Sequence, residues 1–279
     1  MPKETALLED EVGDVLEKAI RQRGITVADL GTITGVSRQR IQDALDYRSE
    51  LSCAELRRLA GALQLNEVGL CALGCGCYPR ADIPRLPFEV HVVAMVHGIG
   101  CANAYVVTSA GPPDGVLFDT GPSLGALLES WPASVAKVEA VFLTHLEGEH
   151  TGGLCDVVDY FGIATARVPA AAKAPCGQPM GEGDTWTWSG LKVTALRTPG
   201  HAAAHNCYLV QSVAGGPALL VSGDLLFAGS AGGAFYDQKL QQTHLRRILD
   251  LCPEDTVVAP GHGPMTTVRI ERRYNPFLA

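Results

Sequence analysis

Apolar positions along this chain follow two rhythms, a helical one up to about residue 70 and a strand-like one from Phe88 onward. In LLEDEVGDVLEKAIRQRG, Leu8, Val12, Val15, Leu16 and Ile20 fall at three- and four-residue steps and Gly24 follows as a stop, which predicts an amphipathic helix. ITVADLGTITGVSRQRIQDALDY then offers Thr26 and Ser37 as N-caps on either side of Gly35, the pattern of two short helices around a turn. LSCAELRRLAGALQL sets Leu56, Leu59, Ala60 and Leu63 on one more face, so four or five helices are expected to share a small core over residues 1–75. Gly74, Gly76, Pro79, Pro84 and Pro87 break any regular pattern, and residues 76–87 read as a linker.

Beyond it, FEVHVVAMV, NAYVVTSA, GVLFDTG, VEAVFLTH, LKVTALRT, NCYLVQSV, ALLVSGD and TVVAPGHG read as strands. GALLESWP and EHTGGLCDVVDYFG read as helices between them, which predicts a layered α/β domain over residues 88–279. Composition adds exclusions. With 47% hydrophobic residues, 19% charged and a net charge of -8, the chain has material for a core but no polycationic face for nucleic acid or membrane. The acidic opening MPKETALLEDEVGDVLEKAI predicts no signal peptide, and no run of apolar residues is long enough for a membrane helix, so a cytoplasmic protein with no membrane partner is expected. Nine cysteines in such a chain do not suggest a disulfide framework. Cys71, Cys75 and Cys77 lie close together, but no fourth metal ligand is evident nearby, and they read as ordinary thiols at a helix end.

The chemistry concentrates at strand ends. In VFLTHLEGEHTGG a strand ends at Thr144, and His145, Glu147, Glu149 and His150 follow within six residues. His201 in TPGH, Asp224 in VSGD and His262 in PGHG each come directly after a further apolar run. Imidazole mixed with carboxylate suits zinc, iron or manganese. By contrast, His91, His97 and His244 read as satisfied core residues, and Trp186 and Trp188 as hairpin packing.

This order of motifs (DTG from Asp119 to Gly121, THxxxxHxGG, TPGH, SGD, PGHGP and ERRYNP from Glu271 to Pro276) resembles the metallo-β-lactamase superfamily over residues 88–279. The resemblance implies an αββα sandwich and a dinuclear centre, with His145, Glu147 and His201 on one metal, Glu149, His150 and His262 on the other, and Asp224 bridging. Asp119 would orient a ligand histidine and His205 would stand behind the ligands. Hydrolases of the family usually read THxHxDH, whereas this chain reads THLEGEH. Glu147 in place of a histidine resembles flavodiiron proteins and related diiron oxygenases, and the added carboxylate favours iron over zinc; Glu149 stands where those proteins have aspartate. A flavodoxin-like domain and the C-terminal helices of glyoxalase II are not expected. The stretch before the linker resembles helix-turn-helix domains of the Cro and cI repressor type over about 60 residues. That likeness implies a recognition helix from Ser37 to Arg48, with Arg38, Gln39, Arg40 and Gln42 near base edges, and an assembly as homodimer. Residues 1–80 hold twelve acidic and ten basic side chains, which is not the footprint of a DNA reader.

Two readings of function follow. In the first, two divalent metals, iron or zinc, activate a bridging water for hydrolysis of a small substrate, with Asp224 and Glu149 handling its proton. In the second, a diiron centre binds or reduces O2 or NO, and the helical domain turns that event into a change in DNA binding.

Overall fold

The computed structural model describes residues 8–98, 100–109 and 114–279; Met1 to Leu7 of the acidic opening and Ala110 of an expected strand lie outside them. The chain begins with five helices, α1 (Val12–Arg23), α2 (Val27–Thr34), α3 (Arg38–Leu45), α4 (Cys53–Leu63) and α5 (Glu67–Gly74). Their ends obey local chemistry. Gly24 and Gly35 take left-handed conformations after α1 and α2, and Thr26, Ser37, Ser52 and Asn66 accept backbone N–H groups at the starts of α2, α3, α4 and α5.

Two six-stranded sheets follow. The first holds β1 (Glu89–His97), β2 (Gly100–Thr108), β3 (Asp114–Phe118), β4 (Lys137–Phe142), β5 (Thr165–Pro169) and β6 (Gln178–Met180) in that spatial order. The second runs β12 (Thr266–Thr267), β11 (Val257–Pro260), β10 (Leu219–Gly223), β9 (Asn206–Ser212), β8 (Leu191–Arg197) and β7 (Thr185–Trp188). Alternation assigns the faces. Val116 and Phe118, Ala140 and Phe142, Leu219 and Val221, and Val257 and Ala259 pack between the sheets. Leu117, Val141 and Leu143 point the other way, under α6 (Leu124–Glu129) and α8 (Leu154–Phe161). Leu220 and Val258 point outward from the second sheet, under α9 (Gln238–Leu251) and α10 (Val268–Tyr274). The domain is thus an αββα sandwich.

Four expectations need correction. The helices do not close around a core of their own. Val15, Leu16, Leu30, Leu56, Leu59 and Leu70 belong to one buried cluster with Leu220, Leu225, Leu226, Ile248, Val268 and Phe277. Contacts across that joint are close. The Asn66 N–H donates to the Pro276 carbonyl at 2.7 Å, and a Cβ on Gly69 would stand 1.9 Å from the Tyr274 carbonyl oxygen. Second, EHTGGLCDVVDYFG is two helices, α7 (Gly148–Thr151) and α8. They separate at Gly152 and Gly153, which press so closely on Pro122 and Ser123 that any side chain would collide. Third, His97 is exposed at the end of β1, and His91 and His244 are half-buried, so none of these three is a core residue. The helix expected from Ser37 to Arg48 is shorter, ending at Leu45. Trp186 and Trp188 do lie on a hairpin, stacked on each other, with Trp186 edge-on to Phe142. No helix among the described residues is long and apolar enough to cross a membrane.

Candidate metal centre

The strand ends deliver the predicted residues to one edge of the sandwich. His145 lies three residues past β4, and Glu147 is the N-cap of the short α7, which carries Glu149 and His150. His201, Asp224 and His262 leave β8, β10 and β11 in the same way. One possible donor atom from each of His145, Glu147, His201 and Asp224 falls within 4.8 Å of the others, and Glu149, His150 and His262 form a second such group. Asp224 joins the two. Its Oδ1 lies 3.5 Å from His150 Nε2, and its Oδ2 lies 3.8 Å from His201 Nε2 and 3.5 Å from His262 Nε2.

The histidine rings present Nε2 because Nδ1 is engaged elsewhere. Nδ1 of His145 meets Thr144 Oγ1 at 2.9 Å, that of His201 faces the Gly233 carbonyl at 2.8 Å, and that of His262 faces the Cys101 carbonyl at 2.9 Å. His150 Nδ1 lies 3.4 Å from Asp119 Oδ2. Asp119 accepts the Thr144 N–H at 2.7 Å and the Thr144 hydroxyl at 2.8 Å, so one buried carboxylate positions the whole turn that carries His145. Asp119 is itself in the left-handed region at φ 60, the backbone bend that turns its side chain under the loop. His205 lies behind, its ring centroid 5.3 Å from that of His145 and its Nδ1 on the Thr198 hydroxyl at 2.8 Å. Small residues make room. A Cβ on Gly261 would stand 2.1 Å from Asp224 Oδ1 and 3.0 Å from His150 Cε1.

Charge balance separates the histidines. Burial, helped by the neighbouring imidazoles, holds His145 and His205 well below the ordinary histidine range. Burial also opposes protonation of His150, but the Asp119 and Asp224 carboxylates outweigh it and push His150 up to about 9. His201 is raised in the same sense, since Glu147 at 3.0 Å and Asp224 overcome its burial. The His201 contact in turn lowers Glu147. The fit to a metal rests on buried atoms. His145 Nε2, His201 Nε2 and Asp224 Oδ1 are buried without hydrogen-bond partners and converge on shared points. Unpaired buried polar atoms are costly, and cations coordinated there would satisfy all three.

Residue types and spacing do not reveal what walls this centre. A cavity of about 310 Å³ opens over Glu147, Glu149, His201, Asp224 and His262, and its far side is α1 and the residues before it, including Glu9, Asp10, Lys18 and Arg21. Glu9 Oε1 lies 3.8 Å from His262 Nδ1. Asp10 bonds both Lys18 and the Ser230 hydroxyl, and Lys18 also donates to the Ala231 carbonyl at 2.9 Å. Phe235 covers His201 from the other side, with ring centroids 5.3 Å apart. Only a contact map could have found the α1 residues, because nothing in an amphipathic helix says which surface it meets.

Of the residues expected near DNA, Arg38 and Gln39 are exposed and Gln42 is half-buried, with Gln39 and Gln42 bonded to Asp43 and Asp46 on their own helix. Arg40 is committed within the fold. It pairs with Glu55 at 3.2 Å and donates to the Glu50 carbonyl at 2.7 Å, and it holds the Glu55 carboxyl down at about 2.

The family model of the metallo-beta-lactamase superfamily matches residues 98–262, and the chain belongs to that superfamily. The hydroxyacylglutathione hydrolase of Salmonella gallinarum is 33% identical over 152 residues, 53% of this chain and 56% of that enzyme. The chain thus spans about half the length of the curated relatives it matches. Among solved structures, the BLEG-1 B3 metallo-beta-lactamase is 27% identical with a TM-score of 0.56, covering 68% of this chain and all of that one. TTHA1623, solved in a di-iron-bound form, is 32% identical with a TM-score of 0.52, covering 66% of this chain and 99% of that one.

Proposed function

We propose that this protein is a dinuclear metallo-hydrolase acting on a small acyl ester or thioester. The reading rests on one observation: two groups of donor atoms are joined through the two oxygens of Asp224. His145, Glu147 and His201 would hold one cation and Glu149, His150 and His262 the other. Such a pair, when bound, supplies Lewis acidity that acidifies water and polarises a carbonyl oxygen. The chain's own residues do the rest. Thr144, Gly233 and Cys101 fix the imidazole rings so that Nε2 faces the centre, and Asp119 holds Thr144 and His150 in place. Asp224 and Glu149 orient the attacking water and take up its proton. Phe227 and Phe235 line an apolar side of the cavity, where the acyl group would sit. The thioester class follows from the similarity to hydroxyacylglutathione hydrolases.

Glu147 supports a second reading, a diiron centre that binds or reduces O2 or NO, because a carboxylate favours iron at the first subsite. In that reading the helical module relays the state of the centre to DNA through Arg38, Gln39 and Gln42, with Arg40 serving the fold.

The test is metal content of protein purified without air from cells given iron and zinc, followed by assay with S-lactoylglutathione and simple thioesters. Two metals per chain with metal-dependent thioester cleavage is the expected result. Two irons, an absorbance change on adding oxygen and no cleavage would replace hydrolysis with the diiron reading.

A further inference from the structure

Four cysteines that the mechanism does not use gather at one place in the helical module. Cys53 opens α4, Cys75 is the C-cap of α5, and Cys71 and Cys77 lie on either side of Cys75. Cys53 stands 18 residues before Cys71, which is why the cluster at 71–77 looks incomplete in the sequence. The sulfurs of Cys53 and Cys75 are 2.6 Å apart, and both residues are exposed. Two thiolates sharing a tetrahedral zinc at about 2.3 Å would lie about 3.8 Å apart. Nor does any cysteine belong to a group of three or more donors converging within 4.8 Å among the described residues. The contact fits sulfurs approaching a bond of about 2.05 Å rather than sulfurs sharing a metal.

We propose that Cys53 and Cys75 form a redox-active dithiol that closes to a disulfide when the protein meets a hydroperoxide. The two cysteines have different roles. Cys53 is exposed in the first turn of α4, where a hydroperoxide can reach its sulfur. Its contact with Cys75 pushes the Cys75 thiol up to about 11, keeping that sulfur protonated. The Cys53 thiolate attacks the O–O bond, takes one oxygen as a sulfenic acid and releases the other as an alcohol, or as water from hydrogen peroxide. The Cys75 sulfur then attacks that of Cys53 and expels its hydroxyl, protonated, as water. Two thiols and one hydroperoxide give one disulfide, one alcohol and one water, and the sulfurs lose the two electrons the peroxide gains. The bond would fasten α4 to the end of α5, the helix seated on Tyr274 and Pro276. Oxidation therefore acts at the joint between the helical module and the metal domain.

The test is peptide mapping of the reduced full-length protein after one equivalent of hydrogen peroxide. Trypsin releases Cys53 in the peptide 49–57 and Cys71, Cys75 and Cys77 in the peptide 59–80. The expected product is those two peptides linked, with fragmentation placing the bond on Cys75. Cys75→Ser should lose the link and Cys71→Ser should keep it. The Cys155–Cys176 pair, 3.1 Å apart, lies in other peptides and is read separately. Linkage spread over Cys71 and Cys77, or peptide 49–57 recovered as an unlinked sulfinic acid, would overturn the proposal. So would zinc that binds the reduced protein and is lost from Cys53→Ser.

Discussion

Asp224 is the residue on which the dinuclear reading depends, since its carboxylate faces His201 of one donor group and His150 and His262 of the other. Asp224→Ala should lose most of the bound metal, and two metals per chain in that variant would end the bridging assignment. Glu147→His exchanges a carboxylate for an imidazole, so the ratio of zinc to iron taken up from a mixture should rise. His150 predicts a pH dependence. A metal needs the neutral ring, and carboxylates hold the proton on it up to about 9. Apparent metal affinity at that subsite should therefore climb about tenfold per pH unit up to pH 9 and then level off, as read by competition with a chelator. All seven candidate ligands could be picked out in the sequence, because each follows an apolar strand beside a small residue. Their supports were less legible. Thr144, Gly233 and Cys101 act through a hydroxyl or a carbonyl, and a backbone carbonyl leaves no trace in residue identity.

Among the elements, α10 binds the two halves of the molecule. Its Glu271 is fully buried and accepts from the Tyr78 and Thr266 hydroxyls, the Gly229 N–H and the Asn275 amide. Burial outweighs those donors and pushes its carboxyl up to about 7. A carboxyl that is easier to protonate in the folded state stabilises fully below its unfolded value near 4.5, and that contribution is lost as pH rises through 7. Glu271→Gln removes this slope. The stability of the variant relative to the parent should rise by up to about 3 kcal/mol between pH 5 and pH 8, measured by denaturant unfolding. No change in that difference would mean that the four donors keep the carboxylate ionised throughout. At α5, Gly69→Ala would drive a methyl into the Tyr274 carbonyl and should lower stability by about 2 kcal/mol or more. Caps and stops made α1 to α3 readable one by one from Gly24, Thr26, Gly35 and Ser37, whereas α4 was legible only by its apolar face. The split between α7 and α8 was not, because it comes from contacts that Gly152 and Gly153 make with distant Pro122 and Ser123.

At the scale of the whole molecule, the helical module and the metal domain share one apolar cluster. Thermal unfolding followed by far-ultraviolet circular dichroism and by Trp fluorescence should therefore give coincident transitions. Two separated transitions, with the helices melting first, would show that the shared cluster is energetically divided. The docked helices were invisible to periodicity, which says that Leu16 and Leu56 are buried but not against what. One consequence concerns the order in which the chain is made. Helix α1 leaves the ribosome early, yet Lys18 bonds to a carbonyl 213 residues further along. Until Ala231 and α10 emerge, the apolar side of α1 has only its neighbouring helices to cover it. A nascent chain of this design should remain sensitive to proteases and dependent on chaperones until those segments have been made, and its metal pocket should gain its last wall only then.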